Sequence, residues 1–299
     1  MRYAPSAEAW FKYLCVAIGA LNAAYAGGRL LISYRVLELG GDTSIIGLIT
    51  ALYSLLPLLA AMPVGRAVDG RHAATMLRLG SGVSAVALAL IALGGDLVLL
   101  SAGSVLLGFG QVLTSVSGQG YIPTRSLPQD YDKRFAALAL AISVGQSAGL
   151  PLAGAIASTS LIWGSHTTLP LWSMGIIALG STLLTLSSPL GIGRGAEPAP
   201  TTMPQGVLAM LGTQGMCPAI FSSLIVLTSV DMMTAYLPAF GEQHNFSVLI
   251  ITLILTGRSV SSALSRLFLT RLLRAVPRPW LLASATFGSA LPIPARLGA

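Results

Sequence analysis

From Ile45 to Met62 the chain carries no charged side chain. A run of about 20 mostly apolar residues, rising 1.5 Å per residue, is long enough to cross the hydrocarbon core of a bilayer as a helix. The pattern recurs along the whole sequence, and about nine segments qualify. They are Trp10–Ser33, Ile45–Val64, Ala74–Leu93, Leu97–Tyr121, Phe135–Ser158, Leu169–Ser187, Gly215–Phe240, Ser247–Phe268 and a short, proline-ended Trp280–Leu291. Lipid offers no partner to an open backbone N–H or C=O, and the period-two alternation of a barrel strand is absent, so the spans are helices. Only 9% of the 299 residues are charged and the mean hydropathy is +0.78. A soluble domain carries roughly 25% charged residues, so a fold this poor in charge is expected in a membrane.

The net charge of +7 comes from short basic patches between the apolar runs. That placement is a topology signal and gives no ground for nucleic-acid binding. With the N-terminus in the cytoplasm, the inner loops collect Arg2, Lys12, Arg66, Arg71, Arg78, Arg125, Lys133, Arg134, Arg194, Arg271, Arg274 and Arg278. The outer side keeps Arg35 and, with nine spans, Arg296, while Arg29 falls near the outer end of the first span. The expectation is a multi-pass protein of the cell (inner) membrane with a cytoplasmic N-terminus. The first apolar segment is too long for the h-region of a signal peptide and reads as an uncleaved span. Cys15 and Cys217 have no ligand spacing and read as small packing residues. The stretch "SPLGIGRGAEPAPTTMPQG", Ser188 to Gly206, holds four prolines and four glycines and reads as a linker. It sets the expected organisation: an N-terminal six-helix bundle over 1–187, a cytoplasmic linker over 188–214 and a partial C-terminal bundle over 215–299.

Charge is concentrated in "PVGRAVDGRH", Pro63 to His72, between the second and third spans. Topology explains the arginines but does not require Gly65, Asp69 and Gly70. Here the sequence resembles the major facilitator superfamily, whose members place a G-x-x-x-D-R-x-G-R-R type loop at this point. Gly65, Asp69 and Arg71 fit, with the spacing after Asp69 shortened and Gly70 where a basic residue is usual; Arg66 lies within the same loop. The resemblance implies a loop that gates conformational exchange by pairing with the other half of the bundle. The alternative is that Asp69 caps the third helix and the arginines are topological anchors. In the fifth span, "GQSAGLPLAG" resembles the family's G-x-x-x-G-P-x-x-G-G segment, found in exporters that exchange substrate for protons. Gly145, Gly149 and Gly154 fit, and Pro151 stands one place beyond the usual proline. Independently of family, small residues four apart allow close helix approach, and proline bends a helix. The fourth span lacks the arginine expected upstream of Gln111. "GRSVSSALSRLFLTRLLRAVPRP" resembles a worn second copy of the opening loop, as a repeat-built carrier would carry. The family normally has twelve spans, so the resemblance implies a major-facilitator-like all-α bundle, six helices plus an incomplete second half lacking the last three; the expectation is a truncated or frameshifted chain, the alternative a nine-span protein.

A charge at the bilayer centre costs about 2.5–3.5 kcal/mol on insertion scales, so it tends to be paired and functional. Asp231 in the seventh span and Arg258 in the eighth are such charges, and counted from their shared outer loop they fall at similar depth. They are candidates for a proton-coupling pair, or for a purely structural one. Asn22, Tyr25, Gln111 and Gln146 fall near mid-membrane and are candidates for hydrogen-bonding a small-molecule substrate, or for interhelical glue. Trp10, Trp163, Trp172 and Trp280 stand near span ends, where interfacial anchoring is expected. There is no G-x-x-x-x-G-K-[ST] loop for ATP and no H-E-x-x-H metal pair, and neither cofactor nor metal is expected. The resulting expectation is a secondary carrier, proton-coupled, exporting small molecules by antiport through alternating access. Its rivals are a truncated, non-transporting fragment of such a carrier and an intramembrane enzyme, for which catalytic groups are missing.

Overall fold

The apolar runs form helices longer than the runs themselves. The computed structural model describes residues 6–68, 72–160, 167–187, 216–244 and 246–275. Among the described residues the regular structure is helical throughout, with no strand. The long helices are α1 (Ser6–Glu38), α2 (Thr43–Ala67), α3 (Ala73–Leu93), α4 (Leu97–Arg125), α5 (Tyr131–Ser160), α6 (Thr168–Ser187), α7 (Met216–Gln243) and α8 (Val248–Ala275). The first six are each long and apolar enough to cross a membrane, and α8 contains a shorter apolar stretch, Leu249–Ser262. The expected ninth span, the expected linker over 188–214 and Trp163 lie outside the described residues.

Local chemistry sets the turns. α1 ends where Gly40 takes a φ of 77° and the Gly41 N–H reaches back to the Val36 carbonyl at 2.9 Å, a glycine-dependent helix stop. Asp42 then caps α2 by accepting from Ile45 N at 2.9 Å, and Asp96 caps α4 by accepting from Leu99 N at 2.7 Å. A first span ending at Ser33 was expected; α1 continues to Glu38. The extra turn is polar, carrying Arg35 and Glu38, which pair at 2.9 Å. Arg35 also donates to the Gly94 carbonyl at 2.9 Å, and Thr167 donates to Glu38, so three turns are tied together at this end.

α1 is the central helix. Its most apolar stretch is 72% buried within the protein, against 17% for α2. α1 packs on α5 and α6, α3 on α4 and α6, and α2 on α4. α2 instead turns Leu48, Leu55, Leu58 and Leu59 outward, as a lipid-facing helix does. Trp10 corrects the interfacial expectation: it is buried at 3% exposure, edge-on to Tyr121, with the Arg134 guanidinium 4.9 Å from its ring centre. Tertiary packing here captures the indole that composition would have left at the interface. Trp172 is exposed.

Among the described side chains of α7 and α8, the buried ones lie toward the end bearing the α1–α2 and α7–α8 turns. On α7, Thr234, Ala235 and Ala239 are buried, whereas Ile220, Phe221, Leu224 and Ile225, toward its start, are exposed. α8 packs on α5, and its Ile251 and Leu255 join Leu30 of α1 and Leu150 of α5 in a small core.

Candidate functional site

Four of the residues singled out in the sequence lie on α1, α4 and α5 at mid-helix, yet they do not converge on one cavity. Asn22 is buried on the α1–α5 seam; its amide donates to the Ile18 carbonyl at 2.9 Å, and the Gln146 amide donates to Asn22 Oδ1 at 3.4 Å. Tyr25, one turn on, points into the bundle instead of a cavity. It is fully enclosed, with its hydroxyl 2.6 Å from Ser84 Oγ and 3.1 Å from Thr114 Oγ1. Both of those hydroxyls also reach backbone carbonyls one turn back in their own helices, so the phenol's single hydrogen is held within a closed polar network. Gln111 accepts a hydrogen bond from the Tyr53 hydroxyl.

That last bond leads to the polar cavity between the two parts of the molecule. It is lined by Arg29, Ser33, Thr50, Tyr53, Ser104 and Thr234 among apolar neighbours from α1, α2, α4 and α7. The Arg29 guanidinium lies over the Tyr53 ring, 4.9 Å from its centre. The stack is a cation–π contact, and the bond to Gln111 fixes the ring that makes it. Ser104 is fully buried and its Oγ has no hydrogen-bond partner. The free volume is about 20 Å³, room for about one water.

Sequence reading placed Arg29 near the end of its span and missed Tyr53, Ser104 and Thr234. Because α1 runs to Glu38, Arg29 lies about 14 Å down the helix from that end, at membrane depth. The signal was present: Asn22, Tyr25, Arg29 and Ser33 recur at three- and four-residue intervals along α1.

The glycines of α5 make its seams. A Cβ on Gly145 would stand 2.0 Å from the Gly19 carbonyl oxygen, and one on Gly149 2.1 Å from that of Ala23, so backbone meets backbone along α1. A Cβ on Gly154 would meet Thr252 of α8 at 2.3 Å. Pro151 is half-buried between these contacts. Gly65 and Arg66 lie in the last turn of α2, not in a loop; Gly65 has open space around it and Arg66 is exposed, while Asp69 and Arg71 lie outside the described residues. Arg258 is half-buried on α8; Asp231 falls on α7, and its side chain is outside the described set. Among the described residues no group of His, Cys, Asp and Glu is placed to hold a metal.

No curated protein gives a significant sequence match. The sequence model of the Major Facilitator Superfamily, however, matches residues 13–295, nearly the whole chain. With six membrane-capable helices centred on α1 and two more packed against them, this multi-pass membrane protein belongs to the Major Facilitator Superfamily of membrane transporters.

Proposed function

We propose that the chain is a secondary active carrier that works by alternating access and exports small molecules in exchange for protons. The supporting observation is the family match together with the packing of a second helical part on the six-helix unit, where Thr234, Ala235 and Ala239 of α7 and Ile251 and Leu255 of α8 are buried. Rocking of two bundles about such a contact would expose a site between them to the two sides in turn. In this reading 1–187 is one rocking body, 188–214 is a cytoplasmic linker and 215–299 belongs to the other. Gly65, Arg66, Asp69 and Arg71 form the gating loop. Gly145, Gly149, Pro151 and Gly154 form the hinge-side packing surface. Asn22, Gln111 and Gln146 border the substrate path.

Proton coupling falls to Asp231 and Arg258. Paired, they neutralise each other at membrane depth; protonating Asp231 leaves Arg258 without its counter-charge and loosens the pair. Inside-out vesicles carrying the protein should accumulate substrate when a proton gradient is imposed and stop when it is collapsed. Asp231→Asn should abolish the response to the gradient. Transport by Asp231→Asn with an unchanged pH dependence would overturn the coupling assignment, and gradient-independent equilibration would reduce the carrier to a uniporter.

A further inference from the structure

We infer that a cleft between α5 and α6, open at the end of the bundle away from the α1–α2 turn, holds one acyl chain of an anionic phospholipid, with Lys12 and Lys133 receiving its phosphate.

The cleft follows from how α1 divides its neighbours. On one side the Ala17 carbonyl of α1 accepts from Ser181 of α6 at 2.9 Å. On another, a Cβ at Gly19 would stand 3.2 Å from the Ala141 carbonyl oxygen of α5. At 100° per residue, Val16 and Ala20 fall between those two contact lines. There the bundle is open: Val16 is 61% exposed, and Tyr13 one turn below it is exposed as well. Eleven residues beyond Val16 the gap is shut. A Cβ at Gly27 would meet Met174 of α6 at 2.5 Å, the Gly149 carbonyl oxygen of α5 at 3.0 Å and Ala153 of α5 at 3.1 Å. So α5 and α6 converge at Gly27 and spread toward the other end, with α1 as the floor between them. The walls agree. Gly180 of α6 flanks Ser181 on the side opposite Thr182, which faces Gly82 of α3, and a Cβ added at Gly180 would meet nothing within 4 Å. Val144 of α5, one turn beyond Ala141, is exposed. From Val16 to Gly27 the cleft runs about 16 Å, close to half of the roughly 30 Å hydrocarbon core. An apolar cleft open to that core takes an acyl chain and gains nothing from water.

The mouth of the cleft makes the occupant anionic. α1 and α5 run in the same direction, since Gly145 meets Gly19 and Gly149 meets Ala23. Lys12 lies seven residues before Gly19 and Lys133 eight before Ala141, so the two stand at about the same depth. Lys12 is one turn below Val16 and Lys133 three turns below Val144, each on the same face as the cleft residue above it. Both lysines are exposed, and among the described residues neither is in an ion pair. Asp132 is rotated about 100° round α5 from Lys133, away from α1. Topology requires only that cations lie at this end; it does not place two of them at the open end of an apolar cleft. A phosphodiester with its acyl chain satisfies both features at once, whereas a free phosphate would leave the cleft unfilled.

The test uses the full chain in non-ionic detergent micelles, with dioleoyl phosphatidylglycerol and dioleoyl phosphatidylcholine as probes and bound lipid counted by native mass spectrometry. One phosphatidylglycerol should be retained about tenfold more readily than phosphatidylcholine, the scale of two lysines near an anionic head. Lys12→Gln combined with Lys133→Gln should bring the two lipids level. Gly180→Phe, which fills the cleft and keeps both charges, should abolish the retained phosphatidylglycerol. Val16→Trp should do the same from the floor, and it decides the matter should Gly180→Phe fail to fold. Inorganic phosphate in excess should displace nothing. Equal retention of the two lipids, or wild-type retention of phosphatidylglycerol in the double lysine variant or in a folded cleft-filling variant, would overturn the site. Displacement by inorganic phosphate would assign the lysines to a soluble anion and overturn the lipid.

Discussion

At Gly149 the backbone of α5 comes so close to α1 that a Cβ would stand 2.1 Å from the Ala23 carbonyl oxygen and 2.7 Å from its Cα. Neither obstacle is the end of a flexible side chain, so the helices themselves must part. Gly149→Val should therefore destabilise the bundle by about 1–3 kcal/mol, the usual cost of overpacking, read as a lowered Tm in micelles. Gly180, on the exposed side of α6, has nothing within 4 Å of an added Cβ, so Gly180→Ala should hold or raise Tm through helix propensity alone. The small residues of α5 were legible in the sequence because their four-residue spacing puts them on one helical face. The neighbours of Tyr25 were not: Ser84 and Thr114 stand 59 and 89 positions away. No local pattern tells a buried phenol hydrogen-bonded to two hydroxyls from one facing a solute.

Helix ends tell a related story. The apolar runs located the spans because lipid rewards apolar composition directly. They mislocated the end of α1, since its last turn is polar and is stopped by Gly40, and that error of a turn or more hid the depth of Arg29. Between elements, α7 packs on both α1 and α2. Tyr236 of α7 lies against Gly47 of α2, where a Cβ would stand 2.3 Å from the phenolic oxygen. Gly47→Leu should wedge α7 away. With the free cysteines Cys15 and Cys217 replaced by serine, Ala235→Cys should react slowly with a water-soluble maleimide, because residue 235 is buried. Adding Gly47→Leu should speed that reaction several-fold. An unchanged rate would mean that Tyr236 simply swings aside and that α7 closes on other contacts.

Across the whole molecule the charges divide by end. Lys12, Arg66, Arg78, Arg125, Lys133 and Arg134 stand at or near the helix ends away from the α1–α2 turn. At the turn end Arg35 is engaged with Glu38 and the Gly94 carbonyl, beside Asp42 and Asp96. Basic loops stay on the cytoplasmic side during insertion, so the α1–α2 end should face outward. In the same cysteine-free background, Gly95→Cys in the α3–α4 turn should be labelled on intact cells by a membrane-impermeant maleimide. Gln129→Cys in the α4–α5 turn should be labelled only after permeabilisation; both positions are exposed, so accessibility reports sidedness alone. The reverse pattern would overturn the orientation and with it the direction of export.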